Sequence, residues 1–263
     1  LSALPTAQCP GVARVYRAAP QNWGTMQALR LRVFFMLILT NDDGIEAPGL
    51  AVLREAVQAL GQTAVVVAPQ GGWSSGCGHQ VTTQTPIQIE QRSPTEYAIA
   101  GTPADCVRIA LNHLKVETAW VLAGVNHGGN LGSDVYISGT VAAVREAALH
   151  RVPGIAISQY RQSPHAIDWN QTRLQTLRVL TTLFAQMPPP GAFWNVNLPH
   201  TIPPLTEPDL IFCRPCTQPL PSQFQQIGDT LHYASRYRDR QRDPGADVEV
   251  CFGGAIAITQ LQI

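Results

Sequence analysis

Lysine is almost missing from this chain: Lys115 is the only one in 263 residues, and arginine carries nearly all the positive charge. Formal net charge is zero, 18 basic against 18 acidic side chains, so no field of one sign marks the chain for a nucleic-acid polymer or a membrane surface. No apolar run approaches the roughly 18–20 residues of a membrane helix. The longest, residues 33–39, has the length of a strand. Residues 1–35 lack the basic n-region, apolar h-region and cleavage site of a secretory signal. They show no clean period either. The expectation is that the folded domain starts near Met36 and that 1–35 is a disordered leader or a mis-set start. The six cysteines are scattered. With no secretory signal, that favours reduced thiols and a cytoplasmic address. Cys213 and Cys216 form a lone C-x-x-C; a zinc site needs a second pair, so a loop with two thiols is the plainer reading. No G-x-G-x-x-G follows the first strand and no G-x-x-x-x-G-K-[ST] occurs, which weakens dinucleotide and P-loop readings.

What is present alternates. Residues 33–40 read as a buried strand, and Leu50, Leu53, Val57 and Leu60 share one helical face with Gly61 as a stop. Residues 63–69 are a second strand, and 87–101 a hairpin turning at Ser93-Pro94. A helix is marked by Val107, Ala110, Leu111 and Leu114, a third core strand by 119–124. Helices follow over 140–151 and 171–187, with strands at 154–158 and 193–199. Strands alternating with helices predict an α/β fold, a doubly wound, mostly parallel sheet with helices on both faces. After Pro199 the character changes. Residues around 231–237 and 247–263 read as antiparallel strands, so the chain divides into a leader (1–35), an α/β catalytic core (36–199) and a C-terminal arm (200–263).

In such a sheet, ligands sit outside the carboxyl ends of the strands. Three polar loops begin there: Asn41-Asp42-Asp43-Gly44, the stretch from Ser74 to His79, and Asn126-His127-Gly128-Gly129-Asn130. They offer almost only oxygen. Two adjacent carboxylates repel, and a divalent cation relieves that; oxygen donors suit Mg²⁺ or Mn²⁺ rather than zinc. On spacing alone an acidic pair also fits a solvated turn or a helix N-cap. Ser75 and Asn126, taken singly, are ordinary loop residues. Ser138-Gly139-Thr140 stands where a loop enters a helix, which is either an anion site or a plain N-cap.

The stretches "ILTNDDGIEAPGL", "SSGCGHQVT", "GTPADCVRIAL", "GVNHGGNLGSDVYISGTVAAVREA" and "WNVNLP" resemble, in order, the SurE family of survival-protein nucleotidases. "GADVEVCFGGAIAIT" looks like a diverged form of that family's C-terminal segment. The resemblance implies a metal-dependent phosphatase acting on nucleoside 5′- and 3′-monophosphates, and in some members on short polyphosphate. It implies a Rossmann-like core and a β-rich arm exchanged between subunits of a homodimer or homotetramer. By position the ligands of one divalent ion per subunit would be Asp42, Asp43, Ser75 and Asn126. Asn126, Ser138, Gly139 and Thr140 would meet the phosphate. The tyrosine that often precedes the family's Ser-Gly-Thr is displaced by one, at Tyr136. Cys77 and His79 receive no role.

Phosphomonoester hydrolysis is the expected chemistry, with Asp42 or Asp43 as the proton acceptor. One rival is a receiver-type phosphoacceptor domain, which needs an aspartate after the third strand, where this chain has Asn126. Another is a non-catalytic nucleotide-binding module.

Overall fold

The computed structural model describes residues 14–15, 36–73, 77–162, 164–200 and 207–263. Residues 1–13 and 16–35 of the expected leader lie outside them, as do Ser74, Ser75 and Gly76.

The parallel part of the sheet starts with β2 (Met36–Thr40). It continues through α1 (Pro48–Ala59), β3 (Thr63–Pro69), the hairpin β4 (Ile89–Ser93) and β5 (Glu96–Ile99), and α2 (Pro103–Asn112). Then come β6 (Trp120–His127), α3 (Gly139–Leu149), β7 (Gly154–Gln159), α4 (Trp169–Leu183) and β8 (Ala192–Leu198). The C-terminal part holds β9 (Leu210–Phe212), the hairpin β10 (Phe224–Ile227) and β11 (Thr230–Tyr233), α5 (Asp247–Phe252) and β12 (Ile256–Gln262). A two-residue strand, β1 (Arg14–Val15), pairs antiparallel with β9.

The strand order is β1-β9-β12-β8-β7-β6-β2-β3-β5-β4. From β8 to β5 six neighbouring strands run parallel. Parallel strands with helices on both faces have no wet side, so they read as continuous apolar runs. β2, β6 and β7 bury nearly every residue. One core holds Leu37, Leu39, Leu53, Leu122 and Leu180, under α1 and α4. The other holds Ile38, Val67, Val107, Val121 and Val144, under α2 and α3. No helix among the described residues is long and apolar enough to cross a membrane.

Three local readings need correction. Residues 247–252 do not form a strand. Val248 and Cys251 are buried at helical spacing, and Asp247 accepts a hydrogen bond from Val248 N–H at 2.8 Å, inside the first turn. The apolar-polar alternation there mimics a strand, but the i, i+3 burial decides. The last strand also does not sit apart from the core. β12 pairs antiparallel with β8 over residues 257–262, inside the main sheet. The 171–187 helix begins earlier, at Trp169, because Asp168 caps it through Asn170 and Gln171 N–H at 3.0 and 3.1 Å.

The chain leaves β2 toward β3 and β5 on one side, and β6 leads to β7 and β8 on the other. The carboxyl ends of β2 and β6 therefore flank the switch point of the sheet, where doubly wound folds place their ligands.

Candidate active site

Asn41 to Gly44 leave β2 in a tight loop. Asn41 Nδ2 donates to Gly44 O at 2.7 Å, and Gly44 has φ +103°, a conformation that L side chains rarely adopt. A Cβ there would stand 3.1 Å from the backbone of Gly71, so the two loops pack main chain to main chain. Trp73 N–H donates to the carbonyl of Asp42 at 2.6 Å.

The two carboxylates then diverge. Asp42 turns inward, 8% exposed, and takes Thr140 N–H at 3.0 Å and the Thr140 hydroxyl at 2.5 Å, one on each oxygen. Burial pushes its pKa up to about 6 against the pull of the Thr140 hydrogen bonds, and the charge of Asp43 adds to the rise. Asp43 turns toward β6 and accepts His127 N–H on Oδ2 at 2.9 Å. Among the described residues its Oδ1 has no hydrogen-bond donor.

Asn126 ends β6 beside that contact. Its amide nitrogen is tied to Gly128 O at 2.8 Å, which fixes the side chain and leaves Oδ1 open. The following loop is held by Asn130. Its N–H donates to Asn197 Oδ1 at 2.7 Å, and its carbonyl accepts from Asn195 and Asn197 at 2.9 and 3.0 Å. Both asparagines of "WNVNLP" thus serve the loop from below.

Ser138 is the N-cap of α3, its Oγ accepting Val141 N–H at 3.1 Å. Thr140 commits both donors to Asp42, a task the sequence reading does not include. Among the described residues, Gly139 N–H is the first-turn amide left without an acceptor. Gly139 also permits close approach: a Cβ would lie 2.7 Å from Cys77 Sγ and 2.9 Å from Asp42 Cβ.

Asp42 and Asp43 therefore tie the first predicted loop to the third, at the end of β6, and to the separate Ser138-Gly139-Thr140 start of α3. Ser75 lies outside the described residues; its described flanks, Trp73 and Cys77, both reach Asp42 or Gly139. Among the described residues no group of three or more His, Cys, Asp and Glu side chains converges as a metal site. The donor set at these two strand ends is two carboxylates and an amide. It offers oxygen only, with Asp43 Oδ1 and Asn126 Oδ1 open, and Asn41 Oδ1 is buried without a donor. That chemistry fits a hard divalent ion.

Sequence reasoning missed the supports. Asp134 Oδ2 accepts Leu131 N–H at 3.0 Å, the Tyr237 hydroxyl at 2.5 Å and buried Arg240 Nη1 at 2.8 Å. Asp247 accepts Gly132 and Cys216 N–H at 2.8 and 2.7 Å. Two C-terminal segments thus clamp the 130–136 loop. These partners lie about a hundred residues apart in the chain, so no local signal announces them. A cue was available for Thr102-x-x-Asp105, a capping box in which each side chain bonds the other's backbone.

The survival protein SurE family model matches residues 37–218. The chain belongs to the SurE family. A curated relative from Nostoc sp., named as a candidate 5′-nucleotidase, is 54% identical over 227 residues, covering 86% of this chain and 99% of its own length. A 5′-nucleotidase SurE from Paramagnetospirillum magneticum is 34% identical over 233 residues, 86% of this chain and 88% of that protein. The crystal structure of the SurE protein from Aquifex aeolicus superposes with a TM-score of 0.75 at 27% identity, over 86% of this chain and 93% of that one.

Proposed function

We propose that this SurE-family chain is a metal-dependent 5′-nucleotidase that hydrolyses nucleoside 5′- and 3′-monophosphates, with short polyphosphate as a further substrate. The observation that carries the reading is that, at the switch point, Asp42 bonds the start of α3 and Asp43 bonds the end of β6, beside Asn126. The names of the relatives point the same way.

Asp42, Asp43, Ser75 and Asn126 are the residues assigned to hold one Mg²⁺ or Mn²⁺. When bound, such an ion neutralises phosphate oxygens and lowers the pKa of its water. The rest falls to the chain. Thr140 holds the Asp42 carboxylate, while His127 N–H holds Asp43. Ser138 retains its hydroxyl proton and Gly139 its N–H, so both are free to donate to a phosphate oxygen near the positive end of α3. One of the two aspartates accepts the proton of the attacking water.

The assembly assigned is a homodimer or larger. The β10–β11 hairpin exposes Phe224, Ile227, Leu231 and Tyr233, each more than half accessible. A lone two-stranded hairpin is marginal in water, and a second copy supplies the missing surface. The cytoplasm is the compartment assigned.

Manganese titration tests the metal site directly. Calorimetry is expected to find one saturable site per chain, weakened at least tenfold by Asp43→Asn. Equal affinity in wild type and variant would remove Asp43 from the site.

A further inference from the structure

A cavity of about 410 Å³ opens beside Asp43. Its walls are Asp43, Gly44 and the 46–49 stretch, with Gln70, His127 and Trp169. The volume falls in the range of small-ligand sites, which runs from roughly 300 to 1,000 Å³. The cavity contains Asp43 but neither Asp42 nor the start of α3. A molecule reacting at the aspartate pair therefore has room on one side for the part of it that does not react.

Part of the wall is aromatic. Trp169 is the first residue of α4, immediately after the Asp168 cap, so its backbone is held by a helix start rather than a free loop. Its ring is half-buried and packs against the core under α1 and α4. The His127 ring stands 6.3 Å from it, centroid to centroid, tilted by 38°. His127 ties this wall to the reacting end, because its own N–H holds Asp43. One residue thus faces the cavity with its ring and the metal-site carboxylate with its backbone.

Flat, partly exposed rings on rigid supports beside a phosphate-handling centre suit a flat π-ligand. We propose that Trp169, with His127 beside it, forms the nucleobase subsite of this chain, taking the base by its face. The inference rests on the nucleotidase reading and deepens it, by naming the residue that separates nucleotides from sugar phosphates. Face stacking is tolerant of base identity, since every base has a π-face. The subsite therefore predicts a preference for nucleotides over base-free phosphomonoesters, with weak discrimination among bases.

The test compares AMP with ribose 5-phosphate, which carries the same phosphate and sugar without the base. Wild type, Trp169→Leu and Trp169→Phe are assayed with added Mn²⁺. Leucine retains apolar bulk against the core, and phenylalanine retains a ring. Trp169→Leu is expected to lower kcat/KM for AMP about 10- to 100-fold, the range that loss of one stacked base implies. It should leave ribose 5-phosphate within twofold, and Trp169→Phe should recover most of the AMP rate. An equal loss on both substrates, or no loss on AMP, would overturn the subsite. If the wild-type chain released no phosphate from either compound, the nucleotidase reading itself would fall. AMP titration would then judge the cavity alone, and equal affinity in wild type and Trp169→Leu would overturn it.

Discussion

Asp42 is a buried carboxylate whose charge is opposed by its surroundings and by its neighbour. What keeps it aimed is Thr140, through one hydroxyl and one amide bond. Thr140→Val removes the hydroxyl and keeps the shape. Asp42 is proposed as a metal ligand, and loss of a hydrogen bond that supports such a ligand commonly costs about 10- to 100-fold in activity or metal affinity. We expect that loss in kcat/KM for AMP, and Thr140→Ser should restore most of it; an unchanged Thr140→Val rate would show that the bond is idle. The residues of this site were legible in part. Asp42, Asp43 and Asn126 stand at strand ends that the apolar runs reveal. The pairing of Thr140 with Asp42 was not legible. It spans 98 residues, and a Ser-Gly-Thr before a helix reads first as a cap or an anion site.

Between elements, two charge clusters, each built on a buried group, hold the loops in place. The first is Asp134 with Arg240, whose side chain is fully buried. Removing one partner of a buried pair leaves the other charge uncompensated, at a cost of about 3–5 kcal/mol. Arg240→Ala should lower the melting temperature by several degrees and slow turnover, because the 130–136 loop loses its clamp. A melting temperature within a degree of wild type would contradict this. The second cluster is Glu146 on α3, bonded to His79 at 2.7 Å and His150 at 3.2 Å, with Arg108 on α2 at 4.0 Å. Burial alone would raise the Glu146 pKa, but the His79 hydrogen bond and the charges of His79, Arg108 and His150 prevail and hold it below 4.5. A depressed carboxylate pKa means stability that is full above the unfolded value and lost as pH falls through the folded one. The unfolding free energies of wild type and Glu146→Gln should therefore differ above pH 4.5 and converge in acid. A gap that widens in acid would refute the assignment. At this scale the strands were easiest to read, because strands buried on both faces carry unbroken apolar runs. The α5 helix was misread, because six residues of alternating character fit either period and only burial chose between them.

For the molecule as a whole, the order of strands puts the carboxyl ends of β2 and β6 side by side, and the α/β alternation in the sequence was enough to foresee that edge. The place of β12 within the sheet was not foreseeable, since a single short apolar strand carries no mark of its neighbours. The exposed hairpin raises the question of assembly. Leu231→Asp combined with Tyr233→Asp places charge on the proposed contact and spares Tyr237 and Arg240, which clamp the site loop. Light scattering during size-exclusion chromatography should give at least a dimer for wild type and a 28.5 kDa species for the variant. A monomeric wild type would refute the assembly, and a dimeric variant would clear the hairpin of joining it. The central claim is that an oxygen-ligated cation at Asp42 and Asp43 drives phosphomonoester hydrolysis. Phosphate release from AMP, measured on one preparation before chelation, in excess EDTA, and after Mg²⁺ or Mn²⁺ is restored, tests it most directly. We predict release that stops in chelator, returns with the metal, and is absent from Asp43→Asn throughout; undiminished release in excess EDTA would contradict the claim.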